Sequence, residues 1–265
     1  MKIKIFTFII LNLIVINLII FIINRNNKIK KLIKKNPEIE LFKISKNPKI
    51  NRITKDIIII DNFYKNPEKV REYGLKNVNK FIDHTSIYHT TVFDPNLKYF
   101  KVKSIVKFIE KLTKKKINEN DWNTDINDNS NGYFQFLTKN DKPAIHYDLH
   151  WNLVIFLTPN APKNHGTTIY KNKKTGIKKA LLFHEYQNIN KKIIQKTKKD
   201  LWEQGEREKF DKWEKIFSAE NIFNRAFLFD GRQFHCPDNG FGSNDKNSRF
   251  FQTFFSLPFY RNIKK

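Results

Sequence analysis

The sequence predicts a mainly β fold of the sandwich or barrel class, flanked by helices and preceded by an N-terminal transmembrane helix. Short apolar runs separated by Pro, Gly and Asn follow one another from Gly132 onward and predict successive β-strands. An uncharged apolar run near the start predicts the membrane helix. With 265 residues, 40% of them hydrophobic and 14% aromatic, the chain can bury a sizeable core, and we expect one domain besides the anchor.

Residues 5–23, with the sequence IFTFIILNLIVINLIIFII, carry no charge and are long enough to cross a hydrocarbon core of about 30 Å. A cleaved signal peptide is the alternative. The run exceeds the apolar region of a normal signal peptide, however, and no small-residue cleavage site follows it. We therefore expect an uncleaved, single-pass N-terminal anchor. Basic residues are more numerous after the run than before it, which favours a cytosolic domain under the positive-inside rule.

The formal net charge of +24 would ordinarily suggest a nucleic-acid or anionic-membrane partner. Ile, Lys and Asn are over-used along the whole chain, however, as in AT-rich genomes such as those of giant viruses, so the Lys excess needs no ligand to explain it. A nucleic-acid partner is not expected, and residues 5–23 are expected to lie in a host or virion membrane. Cys236 is the single cysteine and excludes an internal disulfide.

The segment between the anchor and the β-rich region predicts a linker followed by helices. Residues 24–51 are charged and Asn-rich and predict a basic linker, so the domain is expected to span 52–265. A β-branched run at 57–60 predicts a buried strand. Pro67 is expected at the first position of a helix, and an apolar stripe over 100–115 predicts a second helix.

Six strands are predicted in the β-rich region because runs of four to nine residues either alternate or are continuously apolar. The predicted strands are 133–137, 144–147, 151–157, 167–170, 225–229 and 249–257. A Lys-rich insertion at about 171–220 separates the fourth strand from the fifth. We expect its second part to be helical and to pack on the barrel, because of the spacing of its apolar residues Trp202, Phe210, Trp213, Ile216 and Phe217.

The predicted site centres on the tripeptide His146-Tyr147-Asp148. Residues i and i+2 of a strand point to the same face, so His146 and Asp148 can both point into a barrel. An HxD tripeptide alone is weak evidence, but His235 follows another strongly apolar strand. Two imidazole nitrogens and one carboxylate on one side of a metal, with coordination positions left open, form the ligand set of a non-haem Fe(II) oxygenase.

The order of these motifs resembles the 2-oxoglutarate and Fe(II)-dependent dioxygenase superfamily, in its prolyl 4-hydroxylase-like branch. The resemblance is strongest to a group with the motifs HxDxxxW, LxPxAP, GGTxxYxxxxTG and NRxxLFDGRxFH. The matching stretches are His146 to Asp148 with Trp151, LTPNAP at 157–162, GTTIY at 166–170 with Thr175-Gly176, and NRAFLFDGRQFH at 224–235. The match covers about residues 52–257.

The resemblance implies a double-stranded β-helix fold of the jelly-roll or cupin type, with iron held by His146, Asp148 and His235. It also implies that Arg249, at the start of the last strand, holds the far carboxylate of 2-oxoglutarate, with Tyr133 as a helper at the same carboxylate. The implied cofactors are Fe(II) and 2-oxoglutarate, with ascorbate as a further candidate. The implied reaction is oxidative decarboxylation of 2-oxoglutarate to succinate, coupled to hydroxylation of a C–H bond.

The chain departs from the family pattern at two places. His165 stands where the family has the first Gly of Gly-Gly-Thr, which puts the geometry of that loop in doubt more than iron binding. The fourteen positions between His235 and Arg249 are a little more than the family has, and the loop between them is expected to absorb the excess.

Other residues are candidates for the same roles. Arg232 is an alternative carboxylate clamp. His150 would lie about 13 Å along a strand from His146, too far for an easy ligand. His84 and the nearby His89 precede the predicted barrel and could contact substrate, although ordinary surface or core placement is the simpler expectation. Cys236 is expected to pack as a small residue facing away from the metal.

The favoured interpretation is a membrane-anchored 2-oxoglutarate-dependent Fe(II) oxygenase that hydroxylates a protein or peptide side chain, such as prolyl or lysyl. The alternative is a catalytically inactive β-barrel binding module that uses its basic surface on membrane or nucleic acid. The complete set of His146, Asp148, His235 and Arg249 favours the enzyme, since an inactive module would be free to lose at least one of them.

Overall fold

The computed structural model describes two units of the chain, residues 1–39 and 40–265. The described residues are 15, 17, 19–25, 40–76, 81–84, 88–91, 102–117, 122, 131–148, 151–180 and 208–256, with the backbone alone at 81–84, 88–91 and 256.

The first unit is described at positions 15, 17 and 19–25, which are helical. The apolar side chains at 19–23 are about half exposed. Most of the predicted transmembrane span, 5–23, lies outside the described residues. Within the part that is described, there is no helix with the length and hydropathy needed to cross a membrane.

The second unit consists of two antiparallel sheets and two α-helices in the part of the chain that is described. The helices are α1 (Pro67–Lys76) and α2 (Lys103–Thr113). The strands are β1 (Lys49–Thr54), β2 (Ile57–Asp61), β3 (Phe81–His84), β4 (Tyr88–Thr91), β5 (Tyr133–Leu137), β6 (Trp151–Phe156), β7 (Thr167–Asn172), β8 (Trp213–Ala219), β9 (Ala226–Asp230), β10 (His235–Pro237) and β11 (Arg249–Ser256). The large sheet has the order β1-β2-β9-β6-β11-β5-β4-β3, and the small sheet has the order β10-β7-β8.

The main core lies between the two sheets. Ile169 of β7 and Ala219 of β8, from the small sheet, belong to the same apolar cluster as Phe156, Phe227 and other residues of the large sheet. β6 and β9 are buried along their whole length. A strand buried on both faces needs apolar side chains at every position, which is why these strands read as continuous apolar runs.

The opposite face of the large sheet is covered by helices. Gly74 allows α1 to approach this face, because a Cβ at this position would lie 2.6 Å from the Phe134 ring and 2.7 Å from the Phe250 ring. Those two rings stack on each other with centroids 5.7 Å apart. Phe108 of α2 packs edge-on against Phe63 at 6.0 Å. The helices therefore bury the second apolar face that the large sheet presents.

Most predicted elements are present, and the mainly β class is confirmed. The helix that begins at Pro67 is confirmed, and five of the six predicted strands occur with ends within two residues of those expected. The predicted strand 144–147 is the exception, because it contributes a single bridge, from His146 to His235. The region around His84 and His89 adds strands β3 and β4 to the large sheet, with His89 opposite Phe136 of β5.

The second part of the insertion is mainly a strand in the residues described, and the predicted packing helix is wrong there: Phe210–Lys212 forms a single 3₁₀ turn before the strand begins. Trp213–Ala219 forms β8 and pairs with β7, so the small sheet includes both ends of the predicted 171–220 insertion. The register shifts between Ile169 and Tyr170, where β8 contains one extra residue. This bulge breaks the alternation of a regular strand and leaves Trp213, Ile216 and Phe217 at a spacing that imitates a helix. Trp202 lies outside the described residues.

The folded unit begins before the predicted boundary at residue 52. A 3₁₀ turn over Glu40–Phe42 places Phe42 in the core, 5.7 Å from the Tyr73 ring. β1 then pairs with β2 through backbone hydrogen bonds. Residues 40–51 therefore belong to the unit rather than to a linker. Every side chain of β1 is exposed, so this edge strand carries no apolar alternation from which it could be predicted.

The two residues Asn224 and Arg225 connect β9 to the start of the domain. Asn224 has φ 63°, and its side chain accepts a hydrogen bond from Tyr64 N at 2.7 Å and donates one to Tyr64 O at 3.0 Å. Arg225 donates to both carboxylate oxygens of Asp61, at 2.6 and 3.1 Å. This part of the NRxxLFDGRxFH motif therefore has a structural role, since it satisfies buried backbone groups and joins β9 to β2.

Replacement of Asn224 by Ala is expected to lower the free energy of unfolding by about 2–4 kcal/mol. The variant leaves the N–H and C=O of buried Tyr64 without their partner and places Ala at a left-handed φ. Denaturant unfolding measures the loss. Asn160→Ala is the matched control, because Asn160 has φ 52° in an exposed turn, and about 1 kcal/mol or less is expected there. Equal losses in the two variants would contradict the role of the Tyr64 hydrogen bonds.

Candidate metal and anion site

Two backbone hydrogen bonds bring His146 to the edge of the small sheet. His146 N donates to His235 O at 2.9 Å, and His235 N donates to His146 O at 2.8 Å. Two residues later, Asp148 N donates to Gly231 O at 2.8 Å. Directly opposed residues of an antiparallel pair point to the same face, and so do residues i and i+2. The side chains of His146, Asp148 and His235 therefore meet on one face.

These three side chains form a compact cluster. One ligand atom from each lies within 4.8 Å of the others. The two imidazole centroids are 4.3 Å apart, and His235 Nε2 lies 3.2 Å from Asp148 Oδ2. His235 is buried, whereas His146 and Asp148 are partly exposed. The arrangement has the dimensions of a site for one metal ion, open on the side of the two partly exposed ligands.

Each imidazole can present its Nε2 to a metal. His146 Nδ1 lies 2.9 Å from Ala144 O, and His235 Nδ1 lies 2.7 Å from Gln233 O. A carbonyl oxygen only accepts hydrogen bonds, so the Nδ1 atoms carry the hydrogen and donate it. In the neutral ring that binds a metal, the lone pair then lies on Nε2, which is the arrangement of a metal-binding imidazole with an outer hydrogen bond. A proton on His235 Nε2 would instead donate to Asp148 Oδ2, 3.2 Å away.

Asp148 supplies the negative charge of the cluster. Burial disfavours its ionised form, but the hydrogen bond and electrostatic attraction to His235 act in the opposite direction, followed by His146 and a hydrogen bond from Asn152. Together they hold the pKa of the Asp148 carboxyl well below its ordinary value. A carboxylate and two neutral imidazoles suit Fe(II) with open coordination positions, so the donor set fits the predicted metal.

A cavity of about 290 Å³ adjoins the cluster. All three cluster residues line it, together with Arg249 from β11. Its remaining polar residues are Gln135, Asn152, Thr167 and Thr253. Its apolar walls include Phe229, Phe251 and Phe255. The cavity therefore places one cation and a few hydrogen-bonding groups beside the candidate metal position, within a largely apolar enclosure.

Arg249 is fully buried, and its guanidinium is fixed from several sides. Nε donates to His165 O at 2.8 Å, and Nη2 donates to Thr167 Oγ1 at 3.0 Å. The Phe251 ring lies 4.5 Å and the Phe156 ring 5.6 Å from the guanidinium carbon. A preorganised guanidinium in such surroundings suits a carboxylate ligand better than a mobile ammonium group would.

His165 contributes its backbone carbonyl to this arrangement. The φ angle of His165 is not positive, so the backbone at this position tolerates a side chain. The next residue, Gly166, does not, because a Cβ there would lie 1.7 Å from Ala219 O. The departure from Gly-Gly-Thr therefore falls on the position where glycine is not required, and the loop still presents its carbonyl to Arg249.

The alternative arginine is placed differently. Arg232 donates from Nε and Nη2 to the Asp230 carboxylate, at 3.1 and 2.8 Å, and does not line the described cavity. Cys236 is fully buried in a second apolar cluster with Tyr170 and Phe234, in agreement with the expected packing role. His150 lies outside the described residues.

Tyr133, the predicted helper at the carboxylate, lies four residues along β5 from the residue that pairs with Arg249. The register pairs Leu137 with Arg249 but Tyr133 with Thr253, four residues along the strand. Gln135 is the β5 residue that lines the cavity. Sequence reasoning missed Gln135, and it also missed Asn152, whose only signal is that it is an amide within the apolar strand WNLVIF.

No family model matches the chain, and no curated protein matches it. Solved structures that match the chain include HygX from Streptomyces hygroscopicus with nickel, 2-oxoglutarate and hygromycin B bound, at 10% identity and TM-score 0.45 over 77% of this chain and 84% of that chain. A prolyl hydroxylase from Trichoplax adhaerens, in complex with a hypoxia-inducible factor peptide fragment, has 12% identity and TM-score 0.42 over the same shares. The Fe(II)/α-ketoglutarate-dependent dioxygenase TqaL has 10% identity and TM-score 0.34 over 76% and 78%.

Replacement of Asp148 by Ala is expected to abolish metal binding, because the cluster loses its only anionic ligand. The loss of metal affinity should exceed the roughly 10–100-fold that follows removal of a residue that only hydrogen-bonds a metal ligand. Anaerobic titration of the full chain with Co(II) measures it. Asp238→Asn is the control, because the Asp238 carboxylate accepts a hydrogen bond from Thr168 Oγ1 at 2.7 Å and lies outside the cluster. Retained binding in Asp148→Ala, or equal loss in the control, would contradict the assignment.

Proposed function

We propose that the chain is a 2-oxoglutarate-dependent non-haem Fe(II) oxygenase. One observation carries the proposal: His146, Asp148 and His235 offer three ligand atoms within 4.8 Å of one another, on the wall of a cavity that also contains buried Arg249. An inactive binding module, the alternative, does not require these four side chains to share one cavity.

The protein ligands would be His146 Nε2, an oxygen of Asp148 and His235 Nε2. Three protein ligands on one side leave positions open for a chelating co-substrate and oxygen. With 2-oxoglutarate and O2 as co-substrates, Fe(II) bound here would supply the chemistry for hydroxylation of a C–H bond: one oxygen atom of O2 enters the hydroxyl group and the other enters succinate, which forms from 2-oxoglutarate with loss of carbon dioxide. The described residues act by binding, orienting and enclosing the reactants.

Arg249 would bind the far carboxylate of 2-oxoglutarate. Thr167 assists, because its hydroxyl oxygen already accepts a hydrogen bond from Arg249 Nη2 and its hydrogen is available to the same carboxylate. The Phe251 ring beside the guanidinium excludes water, which strengthens the ion pair. The opposite end of the co-substrate would then face the metal ligands across the cavity.

The proposed substrate is a side chain of a protein or peptide, such as prolyl or lysyl, and the proposed location is a membrane, through residues 5–23. The motif resemblance to the prolyl 4-hydroxylase-like branch supports the substrate, and the uncharged apolar run supports the anchor. Ascorbate is proposed as an accompanying reductant. Mass spectrometry for products heavier by one oxygen, in cells with and without the gene, would identify the substrate.

Replacement of Arg249 by Gln is expected to leave the affinity for Co(II) and Fe(II) unchanged. Binding of 2-oxoglutarate should weaken by about 10–100-fold, because the variant loses charged hydrogen bonds worth about 1.5–3 kcal/mol. Anaerobic addition of 2-oxoglutarate to the Fe(II) protein should produce a weak visible charge-transfer band, and its titration measures the affinity. Succinate release measures turnover.

Arg232→Gln is the matched control, because Arg232 is bound to Asp230 rather than directed into the cavity. It should retain the affinity of the unaltered protein for 2-oxoglutarate. An unaltered protein with neither the band nor succinate release would overturn the proposed function. Loss of metal binding in Arg249→Gln would instead show that the role assigned to Arg249 is wrong.

A further inference from the structure

Asn152 lies within β6, opposite Phe229 of β9 and Phe255 of β11, and is only 3% exposed. It is the one amide in the strand WNLVIF, and its side chain lines the cavity beside the candidate metal ligands. A Leu has the same branched shape and the same number of side-chain heavy atoms, and it would suit a strand that is buried along its whole length. Packing alone therefore gives no reason for an amide at this position.

The amide nitrogen of Asn152 contacts two of the candidate ligands. Nδ2 donates a short hydrogen bond to Asp148 Oδ2 and lies 3.5 Å from His235 Nε2. This orientation agrees with the chemistry, because a carboxylate oxygen can only accept and the Asn oxygen in its place would repel it. Asn152 Oδ1 is buried and accepts no hydrogen bond from any described residue, so folding satisfies only part of the amide.

Asp148 needs such a partner to keep one orientation. Its side chain is 27% exposed, so rotamers that turn the carboxylate toward water are available to it. The hydrogen bond from Asn152 favours the rotamer in which Oδ2 lies beside His235 Nε2, at 3.2 Å. Metal ligands held in this way by an outer hydrogen bond lose less conformational freedom when the metal binds.

We propose that Asn152 is a positioning residue for the metal site: its amide nitrogen holds the Asp148 carboxylate in the metal-binding orientation. The inference rests on the proposed function, since it requires His146, Asp148 and His235 to bind a metal. Asn152 acts through Asp148 rather than by coordinating the metal itself.

The test is an anaerobic titration of the full chain with Co(II). Asn152→Leu retains the branched shape of the side chain and removes the donor, and Asn152→Ala, which adds no bulk, is the second variant should the first not fold. The dissociation constant for Co(II) should rise by roughly 10–100-fold in either. The visible spectrum of bound Co(II) should also change, because the carboxylate is no longer held in one orientation.

Asn172→Ala is the matched control, because Asn172 is also a buried strand Asn, and its Oδ1 accepts hydrogen bonds within the turn that follows β7. It should lower the melting temperature of the metal-free protein without changing the Co(II) affinity. If the variants of Asn152 behave like Asn172→Ala, the residue is merely structural and the inference is overturned. If the unaltered protein binds no Co(II), the proposed function itself fails.

Discussion

The pairing of His146 with His235 is the interaction on which the candidate site depends. Two reciprocal backbone hydrogen bonds place the residues directly opposite each other at the edge of the small sheet. Opposed residues of an antiparallel pair share a face, so both imidazoles point the same way, and Asp148 joins them two residues later. One strand bridge thus determines which face carries the donors, while the Nδ1 hydrogen bonds to local carbonyls determine which nitrogen is offered.

The second constraint is the burial of Arg249. A fully buried guanidinium is costly unless its donors are satisfied, and here a backbone carbonyl and a hydroxyl partly satisfy them. The carbonyl belongs to His165, whose position depends on the close approach of Gly166 to Ala219. The geometry of the anion site therefore depends on the β7–β8 pairing of the small sheet, although Arg249 itself belongs to the large sheet. The metal ligands and Arg249 therefore face one cavity only when both sheets are formed.

An element could be predicted from the sequence where its buried side chains form a regular or continuous pattern of apolar residues, and the other elements could not. β6 and β9 are buried on both faces, and their continuous apolar runs reveal them. β1 is exposed on every residue and is held by backbone hydrogen bonds, which leave no pattern in side-chain hydropathy. β8 contains a bulge that changes the spacing of its apolar residues to one that resembles a helix.

Residue types and their spacing were sufficient to predict the chemical groups of the candidate site: two imidazoles, a carboxylate spaced i, i+2 from one of them, and an arginine at the start of a later strand. Which of these groups share the cavity depends on how the strands pair in the fold. Arg249 lines the cavity, whereas Arg232 forms an ion pair with Asp230. On β5, Gln135 rather than Tyr133 lines the cavity, and Asn152 of β6 contacts Asp148. The physical reason is strand register. A shift of one residue turns every side chain to the opposite face, and register is set by pairing between segments far apart in the sequence.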